Sequence, residues 1–262
     1  MNFHSFFNIF DKQLKAVSTT RHGGVSQGNY ASMNLCHYVG DKDECVKENR
    51  RLFCQHLGIK PKQLFLPYQT HSSKILNINN TFLSLSPSDQ VQSLNGIDAL
   101  ITDKKQICIG VSTADCVPVF LYDTSNQAIA IIHAGWRGTI AQIVSKTISL
   151  MKDTYHSNPA NIFAAIGPCI SQKNYEVGND LYNIFHQSDF PIENLFIKNT
   201  STTKWHLNLP EANRWLLLKA GIPQHQIELG NICTYDQSEM FFSARKYGIH
   251  SGRIASCIML SE

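Results

Sequence analysis

The stretch from Ile107 to Gly138, ICIGVSTADCVPVFLYDTSNQAIAIIHAGWRG, is the part of the sequence that decides the fold. Its apolar runs predict three strands, at residues 107–112, 117–122 and 128–133. The gaps between these runs are too short for a helical crossover, so we expect antiparallel pairing in this part of the chain. Cys116 stands just before the second run and His133 ends the third, so the two side chains can meet at neighbouring strand ends.

The rest of the chain alternates between helical and strand-like patterns. Three- and four-residue periodicity predicts helices at 43–57, 140–151, 177–185 and 210–220. Further strands are predicted at 15–19, 63–66, 74–77, 99–102, 162–166, 227–233 and 253–259. The Ser-rich segment 83–95 is expected to form a surface loop. We therefore predict an α/β fold with mixed sheets (an α+β arrangement), in one compact domain over residues 1–262.

Composition and charge exclude several classes of protein. A chain of 262 residues with 43% hydrophobic and 16% charged residues can bury a large core. Its net charge of +3 is too small to favour nucleic acid or an anionic membrane as a partner. No apolar run approaches the roughly 20 residues that span a bilayer, and Met1–Phe7 lacks the basic start of a signal peptide. We expect a cytoplasmic protein whose 8 cysteines are reduced.

His71, Cys116 and His133 are the candidate metal ligands. One thiolate and two imidazoles supply three donors to zinc and leave the fourth position open for water or substrate. Asp115, beside Cys116, is a candidate proton carrier. Copper also accepts thiolate and imidazole, and a Cys–His pair without metal can act as a nucleophile. The residues by themselves therefore leave zinc, copper and metal-free catalysis open.

Three arginines are candidate contacts for an anion. Arg21 and Arg137 lie in glycine-rich turns, and Arg245 follows a pair of phenylalanines. A strand, a glycine turn and a helix N-terminus form an anion-binding arrangement, which Arg137 would strengthen. The alternative interpretation is that these segments are ordinary turns with surface arginines and core aromatic residues. No Walker A motif and no Gly-X-Gly-X-X-Gly occurs, so nucleoside triphosphates and dinucleotides are not expected ligands.

Two classes of metalloenzyme do not match the motifs of the chain. Zinc nucleobase deaminases combine His-X-Glu with Pro-Cys-X-X-Cys, whereas Pro168-Cys169 is followed by Ile170-Ser171-Gln172 and lacks the second cysteine. The chain has 11 histidines but no His-X-His pair. The paired-histidine clusters of multicopper oxidases are therefore not expected.

Sequence blocks spread over nearly the whole chain match those of a known family. In chain order they are Thr20-Arg21-X-Gly23-Gly24-Val25-Ser26, Tyr30-X-Ser32-X-Asn34-Leu35, Gly40-Asp41, Asn49-Arg50, Gln69-X-His71, Thr113-Ala114-Asp115-Cys116, His133-Ala134-Gly135-Trp136-Arg137-Gly138, Ile166-Gly167-Pro168-Cys169, Tyr175-Glu176-Val177-Gly178, Cys233-Thr234-Tyr235 and Phe241-Phe242-Ser243-X-Arg245. They resemble the YfiH/YlmD-like family, long labelled multicopper polyphenol oxidoreductase or laccase. Two departures, Ala244 in place of the usual Tyr and His22 after Arg21, bear on ligand preference more than on the metal ligands.

The resemblance implies a single α/β domain of the CNF-toxin/YfiH-like fold. It implies that His71, Cys116 and His133 bind zinc, with copper as the alternative. The implied activity is phosphorolysis of adenosine, inosine, guanosine and S-methyl-5'-thioadenosine, together with zinc-dependent deamination of adenosine. The catalytic set would be the three metal ligands with Asp115. Nucleoside and phosphate would contact a polar set of side chains: Arg21, Arg50, Gln69, Arg137 and Arg245.

Three other functions stay open on the sequence. The same residues suit a copper-dependent phenol oxidase, a cysteine or zinc hydrolase that edits peptidoglycan precursors, or a non-catalytic protein whose zinc is structural. Glu176 is a candidate proton donor to the leaving base, although a surface carboxylate is the simpler interpretation. The expected partners are purine nucleosides and phosphate, and the expected state is a monomer or small homo-oligomer.

Overall fold

The computed structural model describes residues 9–10 and 14–261. Its strands are β1 (Leu14–Ser18), β2 (Leu64–Phe65), β3 (Ile75–Asn77), β4 (Ala99–Thr102), β5 (Cys108–Thr113), β6 (Val117–Asp123), β7 (Ala128–Ala134), β8 (Ile162–Ile166), β9 (Glu176–Val177), β10 (Phe196–Lys198), β11 (Trp205–Leu207), β12 (Ile227–Leu229) and β13 (Ile254–Leu260). Its helices are α1 (Asp43–Leu57), α2 (Asn80–Leu83), α3 (Pro87–Ser93), α4 (Trp136–Ile140), α5 (Ile143–Tyr155), α6 (Asn179–His186), α7 (Ile192–Leu195), α8 (Leu209–Lys219) and α9 (Ala244–Tyr247). The expectation about a signal peptide concerns Met1–Phe7, which lies outside the described residues.

The largest described sheet has six strands in the order β12-β8-β6-β7-β4-β3. The strands β6 and β7 pair antiparallel at its centre, with Val117 opposite Ala134 and Pro118 opposite His133. Every residue of both strands is buried, and strands covered on both faces have continuous apolar sequences of this kind. This register places the start of β6 beside the end of β7. Cys116 directly precedes β6 and His133 lies near the end of β7, so the two residues are neighbours.

The strand β5 belongs to a second sheet, whose order is β1-β13-β5-β2. The predicted antiparallel pairing is confirmed for β4 with β7 and for β6 with β7. It is wrong for β5 and its chain neighbours, because β5 pairs with β13 and β2. The turn before β6, in which Asp115 has a φ of 89°, redirects the chain between the sheets. Ile109 of β5 and Phe120 of β6 lie in one apolar cluster, so the two sheets share a core.

Helices pack against the six-stranded sheet. Val144 of α5 and Leu216 of α8 lie in one apolar cluster with Val119 of β6 and Ala130 of β7. The helix predicted at 43–57 is confirmed residue for residue as α1. The helices predicted at 140–151, 177–185 and 210–220 are confirmed as α5, α6 and α8, with shifted ends. Since these helices have amphipathic patterns, their positions follow from the sequence.

The prediction of a surface loop at 83–95 is wrong, because this segment contains the end of α2 and the whole of α3. Ser86 caps α3 by accepting a hydrogen bond from the amide of Asp89, and Pro87 occupies the first turn. Both residues favour a helix start as well as a loop. The serines and the proline of this segment therefore begin a short helix.

The strand predicted at 227–233 is shorter than expected. The strand β12 ends at Leu229. Asn231 follows with a φ of 50°, a left-handed backbone conformation that cannot continue a strand. The chain then forms a single bridge between Cys233 and Cys169.

The sheets and helices together confirm the predicted mixed-sheet α/β fold. A third, small sheet has the order β10-β11-β9. The strand pairs include parallel and antiparallel ladders in both larger sheets. In the part of the chain that the structure describes, no helix combines the length and the apolar content needed to cross a bilayer.

Candidate metal centre

The three predicted ligand side chains lie together at one end of the β6–β7 pair. The ligand atoms of His71, Cys116 and His133 are all within 4.8 Å of one another. The Sγ atom of Cys116 is 3.9 Å from Nε2 of His71, and the two imidazole rings are 4.8 Å apart between centroids. Three donors at this spacing can converge on one ion.

The cluster is accessible from one side. His133 is buried, Cys116 is half-buried and His71 is exposed. Its backbone setting is unusual, because His71 has a φ of 59°, a left-handed value that is uncommon outside glycine. The cluster therefore faces solvent on the side of His71.

Asp98 holds this cluster in place, and the sequence analysis did not identify it. Its carboxylate is fully buried and accepts a hydrogen bond of 2.7 Å from Nδ1 of His133. It also accepts hydrogen bonds from the amides of Thr70, His71 and Ser72, at 3.3, 3.1 and 2.7 Å. One carboxylate therefore orients one ligand ring and shapes the loop that carries another, as carboxylates next to metal-bound histidines commonly do.

A weak signal for Asp98 exists in the sequence. It directly precedes the apolar run of β4, Ala99–Thr102, where an acid is unexpected unless it has buried partners. Those partners come from residues 26 to 35 positions away. The sequence does not reveal them, because the pattern of one strand says nothing about the loop beside it.

The electrostatics of the cluster favour a thiolate. Burial alone raises the pKa of the Cys116 thiol, but His133 and His71 outweigh it and lower that pKa from 9.0 to about 6. Burial likewise lowers the pKa of His133, but Cys116 and Asp98 outweigh it and raise that pKa from 6.5 to about 9. The two shifts describe one thiolate–imidazolium pair. A thiolate is the form of cysteine that binds metals and acts as a nucleophile.

Asp115 lies beside the cluster with both carboxylate oxygens engaged. Oδ1 accepts a hydrogen bond of 2.7 Å from the hydroxyl of Thr234, and Oδ2 accepts one of 2.6 Å from the amide of Arg245. Asp115 is 8% exposed. This arrangement favours a structural role, in which Asp115 fixes the segments of Thr234 and Arg245 next to Cys116. Its role as a proton carrier stays a prediction.

The charges of two of the predicted arginines and of Cys116 affect the pKa of one half-buried phenol, that of Tyr175. Burial raises the pKa of Tyr175, Cys116 raises it further, and the charges of Arg245 and Arg137 lower it. The guanidinium of Arg245 lies 5.3 Å from the centre of the Tyr175 ring and donates a hydrogen bond of 2.9 Å to the carbonyl of Glu176. Arg137 is exposed, with its guanidinium 4.2 Å from the centre of an adjacent indole ring. Both cations are thus near the cluster.

Arg21 and Gln69 are bonded to backbone groups instead. Arg21 donates to the carbonyls of Ala31 and Ser238, both at 2.9 Å. The amide of Gln69 donates to the carbonyl of Ser112 at 2.9 Å and accepts from its N–H at 2.7 Å. These contacts tie loops to the sheets, and the roles of Arg21 and Gln69 in substrate binding stay predictions.

Arg50 and Glu176 also have partners of their own. Arg50 donates to the carbonyl of Leu35 at 2.9 Å and lines a cavity that none of the three candidate ligands lines. Glu176 forms an ion pair of 3.2 Å with Lys204 and accepts a hydrogen bond from Thr202. The interpretation of Glu176 as a surface carboxylate fits these contacts better than that of a proton donor.

The fold and this cluster define a mixed-sheet protein with an open candidate metal centre of one cysteine and two histidines. A sequence profile of the family described as multi-copper polyphenol oxidoreductase laccase matches residues 15–261. The chain therefore belongs to this family, which contains the YfiH and YlmD proteins, as the resemblance of its sequence blocks predicted.

Curated relatives and solved structures agree with this assignment. A protein of Bacteroides thetaiotaomicron named purine nucleoside phosphorylase is 45% identical over 93% of this chain and 90% of its own length. A protein of an unknown prokaryotic organism named adenosine deaminase RL5 is 38% identical over 92% of this chain and 91% of its own. The crystal structure of YlmD from Geobacillus stearothermophilus is 31% identical, with a TM-score of 0.88 over 98% of this chain and 94% of its own.

Proposed function

We propose that this protein is a purine nucleoside phosphorylase that also deaminates adenosine. Its substrates would be adenosine, inosine, guanosine and S-methyl-5'-thioadenosine. In phosphorolysis, the bond between the purine nitrogen and C1′ of the ribose breaks, and a phosphate oxygen forms a bond to C1′. The products are the free base and the sugar 1-phosphate. The names of the relatives support both activities.

The observation that carries the proposal is the convergence of His71, Cys116 and His133 within 4.8 Å. The donor set fits zinc, because a thiolate and two imidazoles are common zinc ligands. His133 would bind through Nε2, since its Nδ1 is engaged with Asp98. When bound, such an ion supplies Lewis-acid activation of water or of a substrate atom.

The residues around the cluster would bind and orient the substrates. We propose that Arg137 and Arg245 attract phosphate. Arg137 follows shortly after Gly135, whose backbone adjoins Cys116, and the amide of Arg245 donates a hydrogen bond to Asp115 beside it. We propose that the exposed side of the cluster, at His71, is where the nucleoside enters. Asp98 keeps both histidine-bearing segments fixed during binding, and buried carboxylates of this kind hold ligand geometry at little entropic cost.

Copper-dependent phenol oxidation is the second candidate function. The description of the family names it, and copper accepts the same thiolate and imidazole donors. We favour zinc because hydrolytic deamination and phosphorolysis need no redox step. A cytoplasmic location, a single domain over residues 1–262, and a monomer or small homo-oligomer stay predictions.

The test is an assay of the purified protein with inosine and with adenosine, each with and without phosphate, followed by chromatography of the products. We expect hypoxanthine from inosine only with phosphate, and inosine from adenosine without it. Cys116→Ser should abolish both reactions, whereas Cys45→Ser, outside the cluster, should abolish neither. Copper at one equivalent, with oxygen-dependent oxidation of phenols and no product from nucleosides, would refute the proposal.

A further inference from the structure

A large cavity beside the strand β2 has no role in the proposed function. Its volume is about 740 Å³, which is within the range of small-molecule sites. The strand β2, the helices α1 and α3 and the loop at His37 contribute its walls. His71, Cys116 and His133 do not line it.

The cavity is positively charged. Arg50 and Lys62 line it, and no Asp or Glu does. Among the described residues, Arg50 forms no ion pair with a carboxylate. A half-buried guanidinium without a counter-ion favours an anion beside it, because the charge has lost part of its hydration.

Hydrogen bonds hold the guanidinium of Arg50 in position. Its Nε donates to the carbonyl of Leu35 at 2.9 Å, and its Nη2 lies 3.0 Å from Nδ1 of His37. Because a guanidinium only donates, Nδ1 of His37 is the acceptor and the ring carries its proton on Nε2. Burial and then Arg50 lower the pKa of His37, against a weaker opposite effect of Asp43, which agrees with the neutral ring that this hydrogen bond requires. With His37 neutral, Arg50 and Lys62 give the lining of the cavity a charge of +2.

Another part of the lining is apolar. Phe65 and Leu66 contribute buried side chains from β2 and the residue after it. Tyr68 is 43% exposed, and its ring lies 4.5 Å from that of Tyr38. Val91 on α3 is 68% exposed. Exposed apolar groups beside cations favour a ligand with a flat apolar body and an anionic group.

We propose that this cavity binds a phosphate monoester that carries a planar ring, the chemistry of a nucleoside monophosphate, at a site apart from the metal centre. The dianionic phosphate matches the charges of Arg50 and Lys62 and accepts from Nε2 of His37. The ring packs against Tyr68 and Val91. This ligand class goes beyond the proposed substrates, which are uncharged nucleosides and inorganic phosphate.

The test is isothermal titration calorimetry of the full-length, zinc-loaded protein with adenosine 5'-monophosphate, with inorganic phosphate and with adenosine. We expect one molecule of the monophosphate to bind per chain and to remain bound in excess adenosine. Inorganic phosphate, which lacks the ring, should bind at least about tenfold more weakly. No binding of the monophosphate, or its full displacement by adenosine, would overturn the proposal.

Matched variants locate the site. Arg50→Gln should weaken binding of the monophosphate about tenfold or more, because a charge-assisted hydrogen bond is lost. Arg51→Gln is the control, since Arg51 is the next residue on α1, is exposed and pairs with Glu48. Equal effects of the two substitutions would overturn the proposal. If Arg50→Gln does not fold, Arg50→Lys, which keeps the charge, takes its place in the comparison with Arg51→Gln.

A substitution of Tyr68 tests the ring contact independently. Tyr68→Ala should weaken binding of the monophosphate without changing that of inorganic phosphate, whereas Tyr68→Phe should change neither. Equal losses for both ligands in Tyr68→Ala would contradict the assigned position of the ring. Calorimetry does not depend on turnover, so a failure here leaves the nucleoside assays unaffected and is distinguishable from a failure of the proposed function.

Discussion

Replacing Asp98 by asparagine tests whether one buried carboxylate organises the candidate metal centre. The carboxylate accepts hydrogen bonds of 2.7 Å from both the amide of Ser72 and Nδ1 of His133. It accepts another of 3.1 Å from the amide of His71. Asparagine keeps the shape but has one acceptor oxygen, so its NH2 group must face an N–H donor in either orientation.

The expected magnitude follows from these contacts. The substitution removes a buried charge-assisted hydrogen bond and leaves at least one buried donor without an acceptor, each worth about 1–3 kcal/mol. We therefore expect the free energy of unfolding of the metal-free protein to fall by about 3–5 kcal/mol. Zinc affinity should fall about 10–100-fold, as it does when a residue that orients a metal ligand is lost.

Asp123→Asn is the matched control. Asp123 is fully buried, and its carboxylate accepts from the amides of Ser125 and Asn126 at 2.9 and 3.2 Å, at the opposite end of β6. Urea denaturation and zinc titration against a competing chelator measure both variants. The control should lose stability and keep its zinc affinity. A zinc affinity of Asp98→Asn equal to that of Asp123→Asn would refute the assigned role.

Three further outcomes are expected. The pKa of Cys116 is lowered to about 6, so its thiolate forms as the pH rises through about 6 rather than 9.0. Alkylation of the metal-free Cys45→Ser variant by iodoacetamide, measured by mass spectrometry, should therefore have its midpoint near pH 6. A midpoint near 9.0 would contradict the lowered pKa. Gly135→Ala would place a methyl group 3.0 Å from Cδ2 of His71. Zinc affinity, measured by competition with a chelator, should therefore fall with little change in stability. An unchanged affinity would show that the loop of His71 moves to make room for the methyl group. Ser86→Ala removes the cap of α3 and should lower the free energy of unfolding in urea by about 1 kcal/mol, and no change would mean that the cap contributes nothing.

Local sequence patterns predicted the elements but not all of their partners. The helix α1 is amphipathic, carries acidic residues in its first turn and ends at a glycine, so its limits could be assigned from the sequence. The buried strands β6 and β7 are continuous apolar runs and were predicted nearly to the residue. The prediction of a loop around Ser86 failed because serine and proline favour both loops and helix starts. Only the contacts around that segment decide between the two.

The sequence by itself indicated the candidate metal ligands, because Cys116 and His133 stand at the ends of apolar runs and the blocks that carry all three ligands, His71 included, resemble those of a known family. Only the tertiary structure decided that Asp98 orients His133, that β5 joins the second sheet, and that Arg50 lines a separate cavity. The physical reason is that periodicity records how each segment is buried along its own axis. A hydrogen bond between residues 35 positions apart depends on how strands and loops are stacked, which no local pattern encodes.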